Sequence, residues 1–227
     1  MPRSSTLPAL LVPTFAAALL AAGCAKVPPV EPTVASAHHM NDYEHYQQAA
    51  DSLQPIIDAK PGIWQVEYEY GRAKAGMGDL PTARRSLERA AARVPENTEV
   101  VFALADVMAK QKDAPKLYEL LRNAGTQLRS SEAWVKLAVY ADQLGDPDTA
   151  MGSIKAAIEV DDGFDVRRGT ECYYQAYLLE TRWGTKEEAI RRLRQACGIN
   201  PEDPRVRLAL QQNGIQPGAA AALPAGV

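Results

Sequence analysis

The sequence predicts an all-α fold, a solenoid of stacked helical hairpins, and three observations carry that expectation. The first is a spaced set of small and apolar residues. Gly78, Ala83, Leu87, Ala90 and Pro95 recur as Gly145, Ala150, Ile154, Ala157 and Asp162, and again as Gly184, Ala189, Leu193, Ala196 and Pro201. The steps are five, four, three and five each time. The second is the period. Ala49, Ala83, Leu117, Ala150 and Ala189 lie 34, 34, 33 and 39 residues apart. A unit of that length is one hairpin, which buries its apolar face only by stacking on the next. The third is punctuation. Gly-Asp pairs at Gly78-Asp79 and Gly145-Asp146 mark turns within hairpins, and Pro61, Pro95 and Pro201 stop second helices, because proline cannot continue a helix interior.

Taken in order, the first 23 residues read as a signal peptide. Arg3 supplies a short positive region, and Leu7 to Ala22 is apolar apart from Thr14. That run is shorter than the roughly 20 residues of a bilayer span and carries Pro8 and Pro13. It ends in Leu20-Ala21-Ala22-Gly23-Cys24, small residues before a lone cysteine. Residues 24–41 hold Pro28, Pro29 and Pro32 among Ala, Ser and Thr, and read as a tether. Residues 42–212 form the array. A single helix over residues 42–60, capped by Asn41 or Asp42, supplies half a repeat. Four hairpins follow, over residues 64–77 and 80–94, 99–110 and 115–128, 132–144 and 148–160, and 170–183 and 186–199. The stretch from Asp161 to Gly169 holds the five extra residues of the longest spacing and reads as an acidic loop. Residues 204–212 form a last helix. Residues 213–227, rich in Pro, Gly and Ala, read as a disordered tail.

These hairpins resemble tetratricopeptide repeats. In the third, Trp134, Leu137, Ala138, Ala141, Gly145, Ala150, Ile154 and Ala157 stand at that family's signature positions. The resemblance implies a right-handed α-solenoid whose first helices line a concave groove. It departs at Glu67 and Lys74, where bulky apolar residues are usual, at Lys112, where the turn glycine is usual, and at Leu117, where alanine is usual. The family's ligand-facing positions fall on Tyr68, Arg72, Phe102, Asp106, Val135, Val139, Asp142, Tyr174, Leu178 and Arg182. One equivalent position carries Tyr68, Phe102, Val135 and Tyr174, a row expected to be surplus to the core and suited to a partner segment. The alternative is that neighbouring repeats bury it. The Lys and Asn of the family's carboxylate-clamping members are missing from these positions.

The segment ending at Cys24 also resembles a bacterial lipobox, with Ala21 where leucine is commonest. That resemblance implies lipidation at Cys24. Each buried methylene adds roughly 0.8 kcal/mol, so two or more acyl chains give stable anchoring. Ala25 in place of the inner-membrane retention signal Asp implies the periplasmic face of the outer membrane. Cys172 and Cys197 stand near adjacent ends of one antiparallel hairpin, and an exported compartment permits a disulfide between them. Two buried thiols are the alternative.

The chain's formal net charge of -3 gives no basic footprint for nucleic acid. Its three histidines, His38, His39 and His45, all precede the hairpins, so neither a metal set nor a Cys–His pair is expected. No phosphate loop or Ser/His/Asp set is present. The expectation is therefore a binding protein without cofactor, metal or small-molecule substrate. It is a lipid-anchored scaffold for an envelope protein in assembly of a machine such as a pilus or secretion system, or else an adaptor regulating a cell-wall enzyme.

Overall fold

The computed structural model describes residues 27–226. Among them are eleven helices and no strand: α1 (Val30–Asp42), α2 (Tyr46–Ala59), α3 (Trp64–Gly76), α4 (Leu80–Arg93), α5 (Thr98–Lys110), α6 (Ala114–Gln127), α7 (Ser131–Gln143), α8 (Pro147–Val160), α9 (Val166–Trp183), α10 (Lys186–Ile199) and α11 (Pro204–Gln212). Consecutive helices pack as hairpins, and the first helix of each hairpin also touches the first helix of the next.

The period is visible in the backbone itself. Glu44, Gly78, Lys112 and Gly145 hold left-handed conformations, with φ of 63°, 83°, 58° and 79°. After each, one amide reaches back over the end of the first helix: His45 to Met40, Asp79 to Lys74, Asp113 to Met108 and Asp146 to Ala141, at 2.8 to 3.1 Å. This pattern satisfies carbonyls that a helix end leaves free and reverses the chain within three residues. The next helix is then capped: Asp79 accepts from the Thr82 amide and Asp146 from the Thr149 amide. The fourth repeat of the sequence pattern departs here. Gly184 has φ -108° and ψ -141°, and Thr185 caps α10 by accepting from the Glu188 amide.

Small residues set the helix spacing. Ala49, Ala83, Ala150 and Ala189 are buried at the hairpin crossings, and Leu53, Leu87, Leu121, Ile154 and Leu193 fill the interior beside them. Complete burial of each such aliphatic side chain stabilises by roughly 2 kcal/mol. A Cβ added at Gly71 would stand 2.6 Å from Leu87 Cγ, and one at Gly125 would stand 2.6 Å from the Trp134 ring. These two helix pairs, α3 with α4 and α6 with α7, can approach so closely only because those positions are bare. Position 67, expected to miss a bulky residue, is filled otherwise. Glu67 is 1% exposed, and both its oxygens accept from Arg89 at 2.8 Å.

Four sequence expectations need correction. The tether over residues 24–41 is a helix from Val30 onward, and α1 with α2 completes a full hairpin rather than half of one. Pro29 is its N-cap residue and Pro32 stands in its first turn, where a missing N–H removes no helical bond. Asn41 and Asp42 accordingly end α1 instead of capping α2. The Asp161–Gly169 insertion is only partly a loop, because α9 starts at Val166 and has 18 residues where α3, α5 and α7 have 13. Asp165 accepts from the Arg167 and Arg168 amides and so starts the extra turn. Finally, the tail up to Gly226 folds back over α9 and α10. Ala221 is buried, and the Leu223 amide donates to the Arg194 carbonyl at 2.9 Å. Its small side chains let its main chain do the docking.

Candidate functional site

Helices α3, α5, α7 and α9 carry the expected ligand-facing residues at equivalent positions. Tyr68, Phe102 and Tyr174 are half-buried, and each ring has a cation over it. Arg72 stands 5.7 Å from the Tyr68 centroid, Lys136 5.2 Å from Phe102, and Arg205 4.9 Å from Tyr174. Such stacking contributes about 0.5–1 kcal/mol at exposed sites. Every one of these cations is also matched to a carboxylate. Arg72 bonds Asp42 at 2.8 Å and Glu69 at 3.1 Å, Lys136 bonds Asp106 at 3.1 Å, and Arg205 bonds Glu171 at 2.7 Å. Asp106 further accepts from the Tyr140 hydroxyl, and burial, together with this bond, raises the phenol well above its ordinary range. The row is thus apolar and charge-compensated.

Val135 does not belong to it. At 8% exposure it is part of the core between α7 and α9. The expected continuous row is therefore three aromatic side chains and a gap, because the longer α9 covers the valine. Val139 is half-buried against the same core, and Leu178 is exposed. Asp142 accepts from Arg182 at 2.8 Å and from the Trp183 indole at 2.6 Å, which ties α7 to the end of α9. Lys136, Tyr140, Trp183 and Arg205 were missed in the sequence. Tyr140 stands 34 residues after Asp106, one full period, and that spacing of an acid and a donor was the available signal.

At the N-terminal end of this face, α1, α3 and α5 enclose a groove of about 450 Å³ lined by Val30, Val34, His38, Trp64, Tyr68 and Glu99. A polar cluster fastens its wall. Glu69, buried, has one oxygen 2.8 Å from His38 Nδ1 and accepts from Asn41 Nδ2 on the other at 2.8 Å, with Arg72 close by. Asn41 Nδ2 also donates to the Glu69 carbonyl at 2.9 Å.

A family model described as tetratricopeptide repeat matches residues 68–116, from α3 into α6. Over those residues the chain matches a tetratricopeptide repeat. Solved structures extend the same fold over most of the array. YrrB, described as a TPR protein with an unusual peptide-binding site, aligns with a TM-score of 0.55 and 18% identity, over 81% of this chain and 92% of its own. A thermophilic TPR protein of Thermus thermophilus, TTC0263, gives 0.54 and 16%, over 80% and 96%. MamA of Desulfovibrio magneticus RS-1 gives 0.56 and 12%, over 76% and 97%. At such identities the likeness is one of fold. None of the curated proteins matches the chain.

In this helical array the two cysteines are free thiols, the second of the two alternatives the sequence left open. Both are buried in the core that joins the last hairpins. The Cys172 side chain is engaged with Ser131 of α7, on the side of the preceding hairpin, and burial with Asp161 nearby pushes its thiol up to about 12. A thiol held neutral in this way is a poor nucleophile. The acidic loop before α9 leaves Phe164 90% exposed, and among the described residues no three His, Cys, Asp or Glu side chains gather as a metal set. Cys24 and residues 1–23 lie outside the described residues.

Proposed function

We propose that this chain is a protein–protein interaction scaffold at the bacterial envelope. A lipid on Cys24 holds it at the periplasmic face of the outer membrane, and its tetratricopeptide array takes a segment of an envelope protein, in assembly of a machine such as a pilus or secretion system. The observation that carries the reading is the compensated aromatic row of Tyr68, Phe102 and Tyr174. Half-exposed rings with already-paired cations suit apolar side chains of a partner better than a free carboxylate, since each cation over the row already has a carboxylate of its own. The apolar run ending in Leu20-Ala21-Ala22-Gly23-Cys24 supports the anchor.

The test is photo-crosslinking in cells, with a crosslinking residue at position 102 and separately at position 174. The expected result is an adduct of one and the same envelope protein at both. Absence of adducts from an intact, membrane-bound chain overturns the inner-face site. For the anchor, Cys24→Ala moves the protein from the membrane pellet to the soluble periplasmic fraction. A variant that still pellets removes the lipid from the reading.

A further inference from the structure

The folded-back segment over residues 219–226 is held by a slot between α9 and α10 that recognises main chain. Arg192 and Gln195, each 5% exposed, both donate to the Gly226 carbonyl, at 3.3 and 2.9 Å. Gln195 also donates to the Pro224 carbonyl at 3.3 Å. The buried Tyr173 hydroxyl accepts from the Gly226 amide at 2.7 Å and lies 3.3 Å from its carbonyl. Arg194 donates to the Ala221 carbonyl at 2.8 Å while its own carbonyl accepts from the Leu223 amide. Gly198 makes room for this contact: a Cβ there would stand 2.0 Å from the Leu223 carbonyl oxygen.

The same slot exists in the hairpin of α3 and α4 and is closed on itself. Glu67, Ser86 and Arg89 stand 106 residues before Tyr173, Arg192 and Gln195. There Arg89 satisfies Glu67 with two bonds of 2.8 Å and Ser86 with one of 3.1 Å. In the last hairpin the acid is replaced by tyrosine and the arginine by glutamine, so the donors turn to carbonyls supplied from elsewhere in the chain. Buried donors require such acceptors. A slot that reads carbonyls and amides selects for a bare backbone and small side chains rather than for one sequence.

We propose that this slot is a second peptide-binding site, apart from the inner face, and that it takes a non-helical segment of small residues. Residues 219–226 are its intramolecular occupant, and a partner's segment of Ala, Gly and Pro composition displaces them. The occupant hangs on the short stretch Gly214 to Gly218, whose two glycines have φ of 74° and 152° and allow it to swing away. Of its side chains, Ala221 is buried and Ala222 and Leu223 are partly buried, and exchange with a like segment leaves both this burial and the hydrogen bonds conserved in number.

The test uses a fluorescent peptide of residues 218–226 and three full-length chains. Ala221→Arg places a long cation at a buried position and ejects the occupant. This variant binds the peptide at least about ten-fold more tightly than the unaltered chain, whose slot is filled. Gly198→Ala added to Ala221→Arg abolishes that gain, although alanine is the better helix former in α10. Equal binding by all three chains, or binding by none, overturns the proposal. If Ala221→Arg loses its helical circular dichroism, amide exchange in the unaltered chain decides. A Leu223 amide that exchanges faster than the interior amides of α10 supports a displaceable occupant, and one that exchanges only with global unfolding overturns it. Because the slot shares no residue with the aromatic row, failure of crosslinking at positions 102 and 174 is a separate result.

Discussion

Lys112 holds with a side chain the left-handed conformation that Gly78 and Gly145 hold without one. A Cβ at Gly78 or at Gly145 would meet no atom within 4 Å, so backbone conformation alone decides the effect of substitution there. Gly78→Ala and Gly145→Ala are each expected to destabilise by about 1 kcal/mol, read as a lower urea midpoint at unchanged slope. Lys112→Gly is expected to be neutral or slightly stabilising, since relief of the strained conformation opposes the greater freedom of glycine in the unfolded chain. These turns were legible from the Gly-Asp pairs. At Glu44 and Lys112 the residue type conceals the turn, and only the count of 34 residues points to it. Cys172 gives a pH dependence. Its folded thiol value, about 12, lies above the ordinary 9.0. The unfolded chain therefore loses this proton first as pH rises. The native-state advantage is whole below pH 9.0 and is lost as pH climbs from there towards about 12. Urea midpoints at about pH 8 and about pH 10 should differ less in Cys172→Ala than in the unaltered chain.

At the scale of the element, α1 shows where sequence reading stopped. Among its residues only Ala37 and Asn41 are buried, while Val30, Val34 and Met40 are half-buried against the first core, so its apolar stripe is weak. Its docking also uses polar partners far along the chain: Asn41 on Glu69, Arg72 on Asp42, and His38 between Glu69 and Asp42. Such pairs leave no period in a hydropathy pattern, and Pro29 and Pro32 mark a helix start as readily as an extended tether. The folded-back segment over residues 219–226 was hidden for a related reason, since main-chain docking makes no demand on composition beyond small size. Glu69 is the hub of the α1 cluster. Glu69→Leu leaves Arg72 and Asn41 without their buried acceptor and is expected to destabilise by about 2–3 kcal/mol, a little under the range for a fully buried pair because Arg72 is partly exposed. Amide exchange should rise through α1 while α9 and α10 keep their protection. Uniform loss of protection across all helices would contradict this assignment of Glu69.

For the whole molecule the question is how far such a loss spreads. Each hairpin touches only its neighbours, so stability is a sum of hairpin terms and interface terms. The helices and their crossings were legible because alanine and leucine repeat at the crossings. The contents of the outer slot were not, because the two hairpins fill it differently: Glu67 with Arg89 in one, Tyr173 with residues 219–226 in the other. The first of these tests coupling along the array. Arg89→Ala leaves the Glu67 carboxylate buried and unpaired, and about 2 kcal/mol is expected, discounted from the buried-pair range because half of Arg89 faces solvent. Glu67→Leu combined with Arg89→Ala removes the stranded charge and fills the slot with the apolar side chain usual there, so most of the loss should return. In Arg89→Ala alone, exchange protection should fall in α1 to α4 and persist in α7 to α10, with a broadened urea transition. A sharp single transition with equal loss everywhere would mean that the interfaces outweigh the hairpins and that the array folds as one unit. A ligand spanning Tyr68 to Tyr174 would then gain nothing from ordering it.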